Sequence, residues 1–363
     1  MGRPSRLAGN AAPGIRRASV AALLVALVLS CTAGGAAARA ASLAGRPVAH
    51  PGLGGPGDWP KELSFSPGGN VLATADTDGT ARLWSVRTGR QIGAPIKLAS
   101  GVSVLDVAFS PRGKVLATAD SDGTVRLWKI PSRRQISGPI RVSHVRVLRV
   151  AFSPDGKLLA TAGIGGQARL WDVATRRQVG AAMTAGGGLF TVAFSPGGRI
   201  LATTDRQDRA RLWNVATRRQ IGRAIGGQPP MGAAVLGLAF SPDGTILATA
   251  GNENGQVRLW RIASHRQIGH YLSAGSTDAY GVAFSPDGKV LITTDTDGTI
   301  RQWNIRTRQQ IGPTIAPKHH PEFLLGILSP HGATLATTQF LGPAQLWVLK
   351  SSGRSRPASP SSR

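Results

Sequence analysis

Apolar and polar positions form short blocks along most of the chain, and turn-forming residues separate them. In one well-defined block, an apolar run at residues 104–109 is followed, after a Ser-Pro-Arg-Gly turn, by a second apolar run at 115–119. An Asp-Ser-Asp-Gly turn then leads to an alternating segment at 124–130 and a short one at 135–136. Runs of this length between Pro and Gly turns predict β-strands. The block therefore predicts a small antiparallel sheet of four strands.

The same block occurs seven times. Phe-Ser-Pro, or Leu-Ser-Pro in the last copy, precedes a Leu-Ala-Thr or Leu-Ile-Thr strand and then Arg-Leu-Trp or a variant of it. The repeated tryptophans are Trp84, Trp128, Trp171, Trp213, Trp260, Trp303 and Trp347. The spacing from Phe (or Leu) to Trp is 19 residues in six copies and 20 in one, whereas the rest of each repeat varies. A period of about 40–45 residues predicts a repeat architecture with rigid sheets and variable loops.

A lone four-stranded sheet leaves its faces and edges exposed. Seven such sheets around an axis bury these faces against one another, so the chain is predicted to be all-β, a seven-bladed β-propeller of four-stranded antiparallel blades. At the repeated residues the chain resembles the WD-repeat propeller family, from residue 45 to about 350, although only Trp171-Asp172 is a true Trp-Asp pair. The resemblance implies a hydrogen-bond network in each blade that joins the Trp to a strand Ser/Thr, a turn Asp and a loop His. The Trp and the Thr occur in all seven repeats, the Asp is retained at Asp78, Asp122 and Asp297, and the His is largely absent.

The last repeat has no fourth strand of its own, because a Ser/Arg/Pro tail follows its Trp347 strand. Residues 45–51, Gly-Arg-Pro-Val-Ala-His-Pro, align with residues 89–95 at the fourth strand of the first repeat. We therefore predict that this N-terminal strand completes the last blade and closes the ring, as is typical of the family. The propeller is accordingly expected to occupy residues 44–350, and residues 351–363 are expected to be a disordered tail.

Residues 1–40 predict a targeting segment. The first 17 residues contain four arginines and no acid, an uncharged run at 18–38 follows, and Ala-Arg-Ala ends at Ala40. This is the layout of a secretory signal peptide. Three fates remain open: lipidation at Cys31, whose surroundings resemble a bacterial lipoprotein box; cleavage after Ala40; or retention as a membrane anchor, since 21 uncharged residues just span a bilayer. Each predicts export to the cell envelope or the extracellular space.

Few residues have a type and spacing that indicate a catalytic or metal-binding site. A frequently channel-lining position of the seven inner strands is occupied by Glu62, Asp106, Arg149, Thr191, Gly237, Gly281 and Leu325. This set contains no ring of metal ligands and no paired acid and base, so its charged members predict a charge-balanced lining. The adjacent His319 and His320 would point to opposite sides of an extended chain, which disfavours a shared metal. The single cysteine excludes an internal disulfide. We predict no catalytic site, no cofactor and no metal.

The chain is strongly basic, and its charges are sorted by turn type. The chain has 43 Lys+Arg against 18 Asp+Glu, a net charge of +25. Nine of the acids fall in the turns between the second and third strands and predict a more acidic face there: Asp76, Asp78, Asp120, Asp122, Asp205, Asp208, Glu253, Asp295 and Asp297. The turns between the third and fourth strands carry Arg87, Arg90, Arg133, Arg134, Arg176, Arg177, Arg218, Arg219, Arg266, Arg306 and Arg308. These two turn types lie on opposite faces of a propeller. The arginines therefore predict a basic face that meets anionic lipid or wall polymer.

Together these features predict an exported, non-enzymatic scaffold for protein–protein interactions at the bacterial cell envelope, monomeric and with unidentified protein partners. A nucleic-acid partner is not expected, because an exported protein rarely meets one and two tyrosines offer little base stacking. Two alternatives stay open. A propeller hydrolase or lyase would need acids or histidines gathered at one channel mouth, and a polyanion-binding protein would lose affinity steeply with salt.

Overall fold

The computed structural model describes residues 53–54, 59–205, 207, 209–226, 235–251, 255–275, 278–316, 323–339 and 342–348. These residues form seven antiparallel sheets and no helix. Blade 1 contains β1 (Pro60–Phe65), β2 (Val71–Asp76) and β3 (Ala81–Ser85). Blade 2 contains β4 (Val104–Phe109), β5 (Val115–Asp120), β6 (Thr124–Lys129), β7 (Arg134–Gln135) and β8 (Ile140–Arg141). Blade 3 contains β9 (Val147–Phe152), β10 (Leu158–Gly163), β11 (Gln167–Asp172) and β12 (Met183–Thr184).

The remaining four blades follow the same order. Blade 4 contains β13 (Leu189–Phe194), β14 (Ile200–Asp205), β15 (Arg209–Asn214) and β16 (Gln220–Gly226). Blade 5 contains β17 (Val235–Phe240), β18 (Ile246–Gly251), β19 (Gln256–Arg261), β20 (Arg266–Gln267) and β21 (Leu272–Ser273). Blade 6 contains β22 (Ala279–Phe284), β23 (Val290–Asp295) and β24 (Ile300–Asn304). Blade 7 contains β25 (Phe323–Leu328), β26 (Thr334–Gln339) and β27 (Gly342–Val348).

The fourth strand is short or broken in most blades. In blade 1 it consists of two antiparallel bridges, Trp84 with Gln91 and Ala81 with Ile96. Between these bridges Gly93 has a φ of 66°, and its carbonyl accepts a hydrogen bond from Gln91 Nε2 at 2.6 Å. A left-handed glycine interrupts a β-ladder because it turns the chain out of the extended conformation. The outer edge of blades 1, 2, 3, 5 and 6 is therefore a pair of short pairings, whereas blade 4 has one longer strand, β16.

The core lies between blades. Seven separate apolar clusters occupy the seven interfaces of neighbouring blades, and each contains one repeated Trp. Between blades 2 and 3, for example, Val125 and Leu127 of one blade pack with Phe152, Leu159 and Trp171 of the next. Each blade therefore depends on both of its neighbours for burial of its apolar faces.

The ring of blades closes. Inner strands of successive blades contact one another around the axis, and β25 of blade 7 contacts β1 of blade 1. The Ser-Pro-x-Gly turns interlock in the same cyclic order: Pro67 of blade 1 lies against Gly113 of blade 2, and Pro330 of blade 7 lies against Gly69 of blade 1. The described residues thus form the seven-bladed β-propeller expected from the repeats.

The predicted closing strand, residues 45–51, lies outside the described residues. Two residues later, Leu53 forms an antiparallel bridge with Ala344 in the last strand of blade 7, with both N···O distances at 2.9 Å. Leu53 is buried in the cluster between blades 7 and 1. Ala344 and Ala81 stand at equivalent positions three residues before Trp347 and Trp84, so Leu53 occupies the position that Ile96 has in blade 1. N-terminal closure by the whole strand remains a prediction.

Every inner strand has a bulge at the same place. In blade 1 the pairing register shifts between Pro60 and Glu62, so that Lys61 is the extra residue. The shift recurs in the other six blades. A bulge bends a strand and re-aims the side chain beside it. Here the residue after each bulge is the channel-lining position named from the sequence.

Candidate interaction surfaces

The repeated tryptophans tie the second and third strands of their own blades together. In all seven blades the indole N–H donates a hydrogen bond to the strand Thr, over Nε1···Oγ1 distances of 2.9–3.2 Å. The seven rings are at most 9% exposed. A buried indole needs such a partner, because an unsatisfied N–H would be costly. The tryptophans are therefore part of the scaffold and do not form a binding surface.

A second network joins acids and arginines at the turn between the second and third strands, called here the two–three turn. In blade 2, Arg126 Nη1 lies 2.7 Å from Asp120 Oδ2, and Arg126 Nη2 lies 3.0 Å from Asp122 Oδ2. Blade 1 repeats this arrangement around Arg82, at 2.6 Å to each carboxylate. Arg211 pairs with Asp205 in blade 4, and Arg301 with Asp295 in blade 6. One arginine thus holds the end of the second strand against the third.

The two carboxylates that share an arginine differ in burial and therefore in pKa. Asp120 is inaccessible to solvent, and burial raises its pKa to about 7, although Arg126 opposes the shift. Burial also opposes ionisation of Asp122, but hydrogen bonds from Thr124 and Arg126 outweigh it, so the pKa of Asp122 is lowered. A single guanidinium cannot fully compensate the charge of two carboxylates, so the pKa of the more buried carboxylate is raised.

This network corrects the expected distribution of acids. The sequence placed nine acids in exposed two–three turns. Four of them, Asp76, Asp120, Asp205 and Asp295, end the second strands and are completely buried against arginines of the third strands. The face that carries these turns and the loops between blades, called here the two–three face, is therefore less acidic than predicted. The missed signal was an arginine six residues after each of these aspartates.

The charged channel positions contact one another across blades. Arg149 Nη2 of blade 3 lies 2.7 Å from Glu62 Oε1 of blade 1, and both side chains are about 5% exposed. Asp106 of blade 2 lies between these blades in the ring and accepts hydrogen bonds from the backbone N–H groups of Val107 and Val150, at 2.8 and 2.9 Å. Burial raises the pKa of Glu62 well above its usual range and that of Asp106 to about 6, and Arg149 opposes both shifts. The trio joins the first three inner strands.

The other side of the channel is filled by backbone. A Cβ at Gly237 would lie 2.6 Å from the carbonyl oxygen of Tyr280, and one at Gly281 would lie 2.8 Å from the amide nitrogen of Gly326. The inner strands of blades 5, 6 and 7 therefore approach too closely for side chains at these positions. Thr191 is buried, and so is Leu325. The seven channel positions form a polar half and a closely packed half, not a ring of similar groups.

The turns between the third and fourth strands have a distinctive conformation. Arg133, Arg176, Arg218, His265 and Arg308 all have positive φ, between 55° and 60°. This left-handed conformation lets the side chain reach the preceding blade: Arg133 Nη1 donates to the carbonyl of Ile92 at 2.8 Å and occupies the space beside Gly93. Arg218, His265 and Arg308 lie in the same way over glycines of the preceding blades. These side chains link neighbouring blades.

Eight arginines of these turns are exposed, and one of them, Arg308, also packs over Gly269 of blade 5. Arg134, Arg177, Arg219 and Arg266 follow the left-handed residues and are exposed, as are Arg87, Arg90, Arg306 and Arg308. Among the described residues, no carboxylate lies within ion-pair distance of any of these eight arginines. The turns between the first and second strands, on the same side, add Lys114, Lys157, Arg199 and Lys289 but also three aspartates. We call this side the basic face.

Comparison with protein families matches these blades. The model described as "WD domain, G-beta repeat" matches residues 53–85, 96–129, 137–172, 228–261 and 265–304. The chain is a WD-repeat β-propeller. Blades 4 and 7 lie almost entirely outside the matched residues, yet each has the same three long strands and the same Trp–Thr bond. A search of curated proteins found no significant match.

Several predicted features of this WD-repeat propeller fall outside the described residues. These are the targeting segment with Cys31, the pair His319 and His320, and the C-terminal tail. Within the described ranges, no cluster of three or more His, Cys, Asp or Glu side chains is arranged to hold a metal ion. The same ranges contain no helix long and apolar enough to cross a bilayer. WD-repeat propellers generally mediate protein–protein interactions. The exposed faces of this propeller are therefore its candidate functional surfaces.

Proposed function

We propose that this WD-repeat propeller is an exported, non-enzymatic scaffold that mediates protein–protein interactions at the bacterial cell envelope. The observation that carries the proposal is that the charged side chains of the channel are buried and already bound within the protein. Glu62, Asp106 and Arg149 are buried and bound to one another's blades. A hydrolase or lyase would need an acid within hydrogen-bond reach of substrate. A rigid ring with two chemically different faces is instead suited to holding partners.

Affinity capture from cell-envelope extracts, with the full chain as bait, tests this function. We expect a protein that is retained at fixed stoichiometry and that rebinds when both components are purified. Glu62→Gln should leave this binding unchanged, provided that circular dichroism shows the variant to be folded. Absence of any such protein would overturn the scaffold. Turnover of a substrate that Glu62→Gln abolishes would instead support the propeller hydrolase or lyase.

The proposal that the protein is exported rests on the N-terminal segment, residues 1–40. Fractionation of cells that express the full chain, followed by mass measurement of the mature protein, distinguishes the three fates of this segment. Cleavage after Ala40, lipidation at Cys31 and an uncleaved anchor each give a different mass. Recovery of the unprocessed chain from the cytoplasmic fraction alone would overturn this part of the proposal.

Polyanion binding is a second candidate function, favoured by the basic face. Eight exposed arginines on one side of the disc have no acidic partner among the described residues, so their charge is available to an external anion. Each basic residue near an anionic surface contributes about 1 kcal/mol, and the attraction fades within a Debye length. We propose that the basic face lies toward anionic lipid or wall polymer, which leaves the two–three face for the protein partner.

Loss of three arginines from the basic face should weaken lipid binding strongly. In co-sedimentation of residues 41–363 with anionic vesicles, the triple variant Arg134→Gln, Arg177→Gln, Arg219→Gln is expected to bind about a hundredfold less tightly, at about 1 kcal/mol per residue. The matched control removes three exposed charges from the other side: Lys97→Gln, Arg141→Gln, Arg146→Gln. It should bind almost as the parent does. Equal losses in both variants, or equal binding to neutral vesicles, would contradict this orientation.

A further inference from the structure

The two–three turn of blade 3 departs from the acid–arginine network of blades 1, 2, 4 and 6. Blade 5 also has a glycine, Gly251, in place of the inner aspartate. In blade 2, Arg126 holds two carboxylates, those of Asp120 and Asp122. Blade 3 keeps the arginine, as Arg169, but has Gly163 in the register position of Asp120 and Gly165 in that of Asp122. Blades 1 and 6, whose two–three turns are also described in full, retain both aspartates. Blade 3 therefore has the cation of this network without either of its anions.

The Arg169 guanidinium is only partly satisfied by its own blade. Its Nη2 donates to the side-chain oxygen of Gln167, and no carboxylate of the described residues lies within ion-pair distance of it. Arg169 is also partly accessible to solvent. In blades 1 and 2 the arginine and its two aspartates have a formal net charge of −1. In blade 3 the arginine with two glycines has a formal net charge of +1. An arginine in this state favours a bidentate carboxylate from outside the chain.

The space for such a carboxylate is open at one of the two positions. A side chain at Gly163 would clash with the backbone carbonyl of Arg146, so the inner position is closed. Gly165 is exposed, and the nearest atom to a Cβ placed there is Val145 Cγ2 at 3.5 Å, an ordinary van der Waals distance. The outer position, which Asp122 occupies in blade 2, is therefore accessible from solvent.

Apolar side chains lie next to the open position. Val145 and Ile164 are 44% and 48% exposed and are two of the four large exposed hydrophobic residues in the described chain. Val145 reaches Gly165 from the loop between blades 2 and 3, and Ile164 precedes it in the turn. Burial of such side chains by a partner is favourable in proportion to the apolar area covered. Arg169 has the same register in blade 3 as Arg126 in blade 2, which pairs with Asp122, so the cation and the apolar pair border the same turn position.

We propose that this blade-3 cradle, formed by Arg169, Gly165, Val145 and Ile164, binds an acidic side chain of a protein partner that is flanked by an apolar residue. The partner's carboxylate takes the place that Asp122 has in blade 2 and pairs with Arg169, while its apolar neighbour covers Val145 and Ile164. The inference rests on the proposed scaffold function and assigns its partner site to the two–three face.

The chain itself offers a matched pair of test variants. Gly165→Asp supplies the carboxylate from within the chain, as in blade 2, whereas Gly165→Asn adds the same bulk without charge. Gly165 does not have a positive φ, so both residues fit its backbone. The probe is the capped peptide acetyl-Leu-Asp-Leu-amide, and its control has Asn in place of Asp. Binding to the full chain is followed by the methyl NMR signals of Val145 and Ile164.

The acidic peptide is expected to shift these signals and to bind at least about tenfold more tightly than the Asn peptide, since a hydrogen bond to a charged group is worth more than a neutral one. Gly165→Asp and Arg169→Gln should each weaken binding of the acidic peptide about tenfold or more, and Gly165→Asn should largely retain it. Unchanged signals, or equal binding by Gly165→Asp and the parent, would overturn the cradle. An envelope partner that still binds Gly165→Asp would overturn the cradle but leave the scaffold function standing.

Discussion

Replacement of Trp171 by alanine is expected to lower the free energy of unfolding by about 3–5 kcal/mol. The indole is 7% exposed, packs with Phe152 and Leu159 between blades 2 and 3, and donates to Thr161 Oγ1 at 3.0 Å. Its removal opens a cavity at a blade interface and leaves the Thr161 hydroxyl without its donor. Urea denaturation of the parent and the variant measures the loss.

Trp59 provides the matched control for this substitution. It lies before β1, outside the repeat register, and is half-buried, with its backbone paired to Thr77. Because Trp59→Ala leaves those backbone bonds in place and removes no blade interface, it should cost much less than Trp171→Ala. Trp171→Phe separates packing from hydrogen bonding and should fall between the two. Equal destabilisation at positions 59 and 171 would contradict the interface role of the repeated tryptophans.

Deletion of residues 45–51 is expected to abolish cooperative unfolding or to cause aggregation. Blade 7 has three strands of its own, and the described part of its outer edge is covered at Ala344 by Leu53. If the preceding residues continue this pairing, their loss leaves an open strand edge and removes the backbone hydrogen bonds by which the N-terminal strand holds blade 7. Thermal unfolding and light scattering of the deleted and the parent proteins measure the effect.

Two further variants sharpen this prediction. Leu53→Ala keeps the chain length but removes a fully buried side chain from the cluster between blades 7 and 1, at an expected cost of about 2–5 kcal/mol. Deletion of residues 351–363 should have no effect on unfolding. If the protein without residues 45–51 unfolds as the parent does, the N-terminal strand does not close the ring.

The strand order and the blade number could be read from the sequence because both depend on local patterns. Strand length follows from apolar runs such as residues 104–109, and the turns follow from Ser-Pro-x-Gly and Asp-x-Asp-Gly segments. The position of the Trp relative to the strand Thr is set by the register of one hairpin, Leu72 opposite Trp84 in blade 1. The contact repeats faithfully because the spacing from the Thr to the Trp is 10 residues in six blades and 11 in blade 5.

The burial and pairing of the charged side chains could not be predicted from local patterns. The sequence predicts that Asp120 lies in an exposed turn, because aspartate favours turns. In the structure it is buried at the end of β5. Its burial depends on Arg126, which the pairing of β5 with β6 brings beside it. The contact of Arg149 with Glu62 is still less local, since it joins blade 3 to blade 1 across 87 residues of sequence.

The repeat, the strands, the turns and the seven-bladed ring can therefore be predicted from the sequence, because short-range apolar patterning and turn chemistry decide each of these. Which charges are available for binding depends on the tertiary structure. Glu62, Asp120 and Arg149 are withdrawn from solvent by neighbouring strands and blades, whereas Arg134 and Arg169 keep charge that no described acid compensates. The physical reason is that the desolvation and pairing of an ionisable side chain depend on everything packed around it, and in a propeller most of that comes from another strand or another blade.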